Sequence, residues 1–432
     1  MTDRMSASSV ALARNVRRIA RLDIPGGGQV VVQGRYAYVG HMQPPHGTTI
    51  VDVGDPAAPR VVSTLDLPDA QSHTHKVRVV GDVMITNVEM NNRHLLRRGA
   101  ARLAEAEVRL TQPGGPPPPS EDELAASLGI DRPALARVRD FVRTGYEAGG
   151  FRVWDIADRE RPRLLHHQKT FGFGVHRFDM DERYAYISTE MDGFVGNILV
   201  IYDLARPEKP EEIARWWMPG QHLAGGETPT WPGYRNRLHH ALRSGDKLWA
   251  SCWHAGIRVI DVTDIRAPRT VGAYDYHPPF PEPTHTVLHV PFKVGGRDVA
   301  VVFDEEHEHV PGRLHAGMWL FDVSDLSDIR PISMFHMSEL DSPWSRTGRF
   351  GAHQPAERMR DTLVHATWFS GGLRIVDIAN PTLPVEVGHF IPEPSSGQSS
   401  PQSNDVDVDA NGLIYLLDRN QGLDVLEYTG RG

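Results

Sequence analysis

One phrase returns along almost the whole chain: a Gly or another small residue, an apolar strand ending in Asp, and a turn that usually contains Pro. Its copies are GTTIVDVGDPAAPRVV, GGFRVWDIADRERPRLL, GNILVIYDLARPEKPEEI, AGIRVIDVTDIRAPRTV, AGMWLFDVSDLSDIRPI, GGLRIVDIANPTLPVEV and QGLDVLEYTG. Period-two alternation over a short β-rich run predicts a strand in each, and the turn leads into a further strand such as VVSTLDLP or VGAYDYHP. Upstream sits a second recurring pair, as in HKVRVVGDVMITNVE, HRFDMDERYAYISTE and HHALRSGDKLWASCW. Four strands per unit is the pattern of a propeller blade, so the seven copies predict an all-β, seven-bladed β-propeller forming a single domain over residues 1–432. The last copy stops after its third strand, while the N-terminal NVRRIARLDIP reads like the outer strand APRVVSTLDLP. The first residues are therefore expected to complete the last blade and remove a free sheet edge.

The phrases LRIVDI, RVIDVTD and TIVDVGD resemble the LVIVD-repeat family of β-propellers, and the resemblance spans nearly the entire chain. It implies a fold and says little of activity, because one fold hosts unrelated functions.

Residues 91–148 depart from the repeat. RHLLRRGAARLAEAEVRL, a proline tract and SEDELAASLGIDRPALARVRDFVRTG predict helices inserted within blade 2, the second half opening with a capping pattern, Ser120 and Glu123. A lid or an arm for homo-oligomerisation is the expected role. ELAASLGI looks like the start of a helix-turn-helix, but it stands alone and the following helix is not notably basic. With a net charge of -9 the chain has no electrostatic reason to seek nucleic acid or an anionic membrane. No apolar run suits a signal-peptide core or a membrane span, which makes a cytoplasmic protein the expectation, and the single Cys252 excludes an internal disulfide framework.

Aligning the blades on their first strand puts His75, His176, His239, His285 and His353 in one column, with Asp405 in blade 7 and Gln29 or its neighbour in blade 1. First strands of a propeller line the central channel and run the same way, so these imidazoles are expected at one mouth of it, as ligands to a transition metal. Glu89, Glu190 and Glu305 fall at the ends of second strands, each returning toward the histidine of its own blade, where a carboxylate can accept the second ring N–H and fix the tautomer. His240, His254, Trp253, His289 and His307 are candidates to line the pocket, with Phe303, Trp344 and Trp368 as further walls; His41 and His46 are placed near the mouth from blade 1. Cys252 reads as a small buried residue, and the Asp that ends each third strand as a turn acceptor.

Axial histidines backed by glutamates resemble in layout the four-histidine ferrous centre of carotenoid-cleavage oxygenases and the metal site of the selenium-binding and methanethiol oxidase propellers. That resemblance implies Fe(II), with Cu, Mn and Zn as alternatives, and oxidation or oxidative cleavage of a small organic substrate. With zinc or manganese the chemistry would be that of a hydrolase or lyase using a metal-bound water. A non-catalytic binding or scaffold propeller is the rival class.

Overall fold

The structure is a computed structural model describing residues 11–67, 69–111, 117–278, 280–307 and 309–430. The first half of the N-terminal stretch read for a signal core, and the first residues of the proline tract, lie outside the described residues.

The strands pair as antiparallel meanders in chain order. Gly27–Gln33, Tyr36–His41, His46–Asp52 and Arg60–Asp66 form one such unit. Others begin at Val77–Val80, Phe171–Met180, Asn236–Ser244 and Thr284–His289, each followed by three more strands. The unit containing Leu363–Trp368 has a less regular first strand, reduced to a bridge between Pro355 and Ala366, as expected where Pro supplies no ladder N–H. In the unit of Ser403–Val408, Leu413–Asp418 and Gln421–Tyr428, the fourth strand is Val16–Pro25, from the other end of the chain, with Leu22 opposite Leu423.

The third strands read as nearly continuous apolar runs, such as Ile198–Asp203, because sheets pack against both of their faces. Cores therefore lie between neighbouring sheets. In one of them Val301, Phe303 and Leu320 meet Val364, Trp368 and Val376 of the next unit, with the Phe303 and Trp368 ring centroids 5.7 Å apart. Phe303 and Trp368, expected as cavity walls, are wholly buried in this core, and Trp344 is buried as well; none of the three lines the axial cavity. The carboxylates ending the third strands close turns as anticipated. Asp52, Asp155, Asp203, Asp261, Asp322 and Asp377 each accept the N–H two residues further on.

Between Val83–Met90 and Gly150–Asp155, which pair directly, the chain forms α1 (Arg93–Thr111), α2 (Glu121–Leu128) and α3 (Arg132–Thr144). Ser120 and Glu123 cap α2 reciprocally, Gly129 ends it in the left-handed conformation at φ 66°, and Asp131 caps α3. Leu103, Leu124, Leu135 and Val138 join the helices to one another and, through Met90 and Phe173, to the sheets. None of the described helices is long and apolar enough to cross a membrane.

Candidate functional site

Register shifts explain how the first strands present their histidines. Val175 pairs with Thr189 and Arg177 with Ser188, so His176 is an extra residue without a partner; His285 stands in the same way between Thr284 and Thr286, and His239 within the shift from Asn236 to His240. A bulge re-aims its side chain away from the regular pleat, here toward the axis. The corresponding shift in the last unit lies between Ser403 and Asp405, and in the first between Gly27 and Gln29. The column therefore continues as Asn404 and Gly28, and Asp405 belongs one place further along.

The rings form an arc. Centroids are 5.3 Å apart for His75 and His176, 4.9 Å for His176 and His239, 4.2 Å for His239 and His285, and 4.5 Å for His285 and His353. All five are deeply buried, and burial holds each well below the ordinary imidazole range even where Glu89 at His75 and Glu305 at His239 and His353 act against it, which favours neutral rings.

Hydrogen bonds then assign tautomers. His239 Nδ1 lies 2.7 Å from the carbonyl of His285, and His353 Nδ1 2.5 Å from the carbonyl of Asn404. A carbonyl can only accept, so both Nδ1 atoms carry the proton. His176 Nδ1 faces the Glu89 carboxylate at 3.1 Å. His285 Nδ1 lies 3.0 Å from Thr286 Oγ1, whose own proton goes to Gln354 Oε1. In these four rings Nε2 is left with a bare lone pair, and His176 Nε2 stands 3.0 Å from His239 Nε2. His75 is the reverse: Asn87 Nδ2 donates to its Nδ1 at 3.2 Å, the amide being oriented by the Lys76 N–H on its oxygen, so the His75 proton sits on Nε2.

The glutamates are arranged differently from the sequence expectation. Glu89 accepts from His73 Nε2 at 2.9 Å and from His176 of the next unit, and lies 3.9 Å from His75. Burial pushes its carboxyl up, but Arg93 and the imidazoles outweigh burial and hold it at about 2. Glu305 lies 3.8 Å from His285 Nε2 and accepts from Arg349; against its burial, His353 and Arg349 beside it keep it far below the carboxylate range. Glu190 does not back His176; it pairs with Arg97 of α1.

A cavity of about 370 Å³ opens over the arc, lined by His75, His176, His285 and His353, with Trp253 and His307 on one side and the first turn of α1, including Arg93 and His94, on another. His239 lies against Trp253 with ring centroids 5.2 Å apart and the planes tilted by 38°. His240 is buried in the wall, 3.4 Å from Arg177 Nε, and His254 packs on Trp253 and His277 outside the lining. His289 is at the far end of its strand, stacked on Trp249 in a separate cavity, since four residues of strand put it about 13 Å from His285. His41 is held by Pro25 O and Thr49 Oγ1, with no nitrogen left for a site; His46 stands edge-on to it at 6.0 Å. The sequence reading missed His94, Asn87, Lys76 and Arg419. His94 lies in a helix that no repeat copy contains, whereas Lys76, like Arg177, was legible as a cation directly after a column histidine.

Cys252 is fully buried, and burial pushes its thiol up to about 12. It is expected to resist a thiol-disulfide reagent at pH 8 until the protein is unfolded, which absorbance at the released thiolate's wavelength reads directly.

A second histidine cluster lies beside the site. Glu306, wholly buried, accepts from His309 Nδ1 at 2.7 Å, His315 Nδ1 at 2.8 Å and the N–H groups of Phe350 and Gly351 at 3.2 and 2.7 Å. Four donors occupy its lone pairs, so it works as a clamp on the segment leading to His353. The bond to Glu306 raises the pKa of His315. The imidazolium therefore stabilises the fold fully below the unfolded value of about 6.5, and this contribution is lost as pH rises through the folded value. Denaturant titrations should show His315→Gln costing more at pH 6 than at pH 9.

Residues 27–66 and 367–391 match the LVIVD repeat. No curated protein sequence matches the chain. Similar solved structures include a periplasmic gluconolactonase from Pseudomonas aeruginosa (10% identity, 92% of this chain and 88% of that chain, TM-score 0.54). A chain of the mitotic checkpoint complex (7%, 99% and 94%, 0.54) and the WD40 β-propeller domain of Doa1 (9%, 95% and 96%, 0.50) are comparable. At these identities the likeness bears on the fold alone, and together with the repeat it makes this an all-β chain of the β-propeller class.

Proposed function

We propose that the protein is a seven-bladed propeller whose axis holds one transition-metal ion, and that it is an enzyme acting on a small organic substrate in the cavity above. The observation that carries the reading is the pair of bare Nε2 atoms of His176 and His239 at 3.0 Å. Two lone pairs at that distance repel unless a cation lies between or beside them, and His285 and His353 are set in the same tautomer. These four would hold the ion through neutral nitrogen, a donor set that suits iron, copper, manganese or zinc and disfavours magnesium and calcium.

The other groups have roles that follow from their hydrogen bonds. Glu89 orients His176 and raises its basicity; the carbonyls of His285 and Asn404 do the same for His239 and His353. His75, with its proton on Nε2, is a donor placed beside the substrate. Trp253 and the first turn of α1 restrict water, with the helical insertion in the second blade as a cover. Iron or copper in an all-imidazole shell supplies one-electron chemistry toward dioxygen, and the four-histidine layout turns the reading toward oxidation or oxidative cleavage.

Electron paramagnetic resonance of the reduced protein with nitric oxide added tests the redox assignment. An iron-nitrosyl signal, or a cupric signal in the oxidised protein, is expected; a silent stoichiometric zinc centre would move the chemistry to hydrolysis, and no metal at all would leave a scaffold.

A further inference from the structure

Two cations in the cavity are not explained by the imidazole arc. Lys76 is 4% exposed, and its Nζ donates one hydrogen bond, to Gly28 O at 3.0 Å. Arg419 donates from Nη1 to Asn404 Oδ1 at 3.3 Å. Neither has a carboxylate within 4 Å among the described residues, whereas Arg93 is held by Glu89 and Arg349 by Glu305. The lining carries five cations, Lys76, Arg93, Arg98, Arg349 and Arg419, against the two carboxylates Glu89 and Glu305, in a chain whose net charge is -9. Asp405, one residue beyond Asn404, does not line the cavity but is buried near enough to interact with Lys76 through its charge.

Burial lowers the pKa of both Lys76 and Arg419, against which Asp405 acts at Lys76 and Glu305 and Asp418 act at Arg419, all from beyond 4 Å, and both side chains face a space that a ligand can enter. Cations concentrated in one cleft of an acidic protein also raise the local concentration of anions.

We propose that the cavity binds a small organic carboxylate, its charged end between Lys76 and Arg419 and its apolar body toward Trp253 and Met42. Calling this anion the substrate rests on the metalloenzyme reading; its binding does not. The cavity volume admits a compact acid and no long chain.

Calorimetric titration of the protein as isolated with benzoate, acetate, inorganic phosphate and neutral benzyl alcohol tests the proposal. Benzoate is expected to bind at least tenfold more tightly than benzyl alcohol. Lys76→Met and Arg419→Gln should each weaken benzoate at least tenfold while metal content stays unchanged, and Lys76→Arg should retain binding within a few fold. If one variant does not fold, the other carries the comparison. Equal binding of benzoate and benzyl alcohol, no binding of any of the four, tighter binding of phosphate, or benzoate binding indifferent to both substitutions would overturn it. Elemental analysis of the same samples keeps the two readings apart. Metal-free protein that binds benzoate through Lys76 ends the enzyme reading and leaves the anion site standing; metal-loaded protein that ignores carboxylates ends the substrate class alone.

Discussion

If the proposed centre holds a transition metal, the double variant His176→Ala, His239→Ala is expected to lose it, with affinity falling by more than about 100-fold, while His75→Ala stays loaded. Second-sphere partners alone are worth roughly 10–100-fold in metal affinity, and in the proposed centre these two rings would supply ligand atoms themselves. The contrast with His75 follows from tautomers. His176 and His239 give their Nδ1 protons to Glu89 and to the His285 carbonyl, leaving Nε2 free, whereas Asn87 donates to His75 Nδ1 and leaves its proton on Nε2. Glu89→Gln should fall between, lowering affinity by about 10–100-fold. Metal content after dialysis against a graded chelator measures all of these, and equal loss in His75→Ala and His239→Ala would sink the division into four ligands and one donor.

The largest effect on stability is expected from Glu306→Ala, on the order of 3–5 kcal/mol in chemical denaturation. The substitution strands two histidines and the N–H groups of Phe350 and Gly351 in a buried setting, and each buried donor left unmade costs about 1–3 kcal/mol. Glu306→Gln, which keeps an acceptor, should cost less. A change below about 1 kcal/mol for Glu306→Ala would mean that the segment before His353 is held by other contacts.

The repeat was legible because third strands are mostly apolar on both faces and, in all but the last copy, end in an Asp that accepts for the turn, so a packing requirement is written into the repeat. Val16–Pro25 was legible because NVRRIARLDIP reads like the outer strand APRVVSTLDLP yet has no unit of its own at the N-terminus. The histidine column followed from aligning the copies, but its continuation did not, since the bulges that place Asn404 rather than Asp405 in line are a matter of pairing and leave no mark on composition. Glu190 was misjudged because its partner, Arg97, comes from a helix outside the repeat. His289 was misjudged because proximity in sequence is distance along a strand. Phe303 and Trp368 share the aromatic character of a cavity wall, yet their strands turn them between sheets, where the core needs volume.

The proposed centre is a single metal ion held by four imidazoles. Elemental analysis of the purified protein, with X-ray absorption at the edge of whatever metal is found, tests it most directly. About one iron or other transition-metal ion per chain, with a first shell of nitrogen and imidazole scattering, is the result predicted. Protein that carries no stoichiometric metal, and takes none up when reconstituted with iron, copper, manganese or zinc, would contradict it.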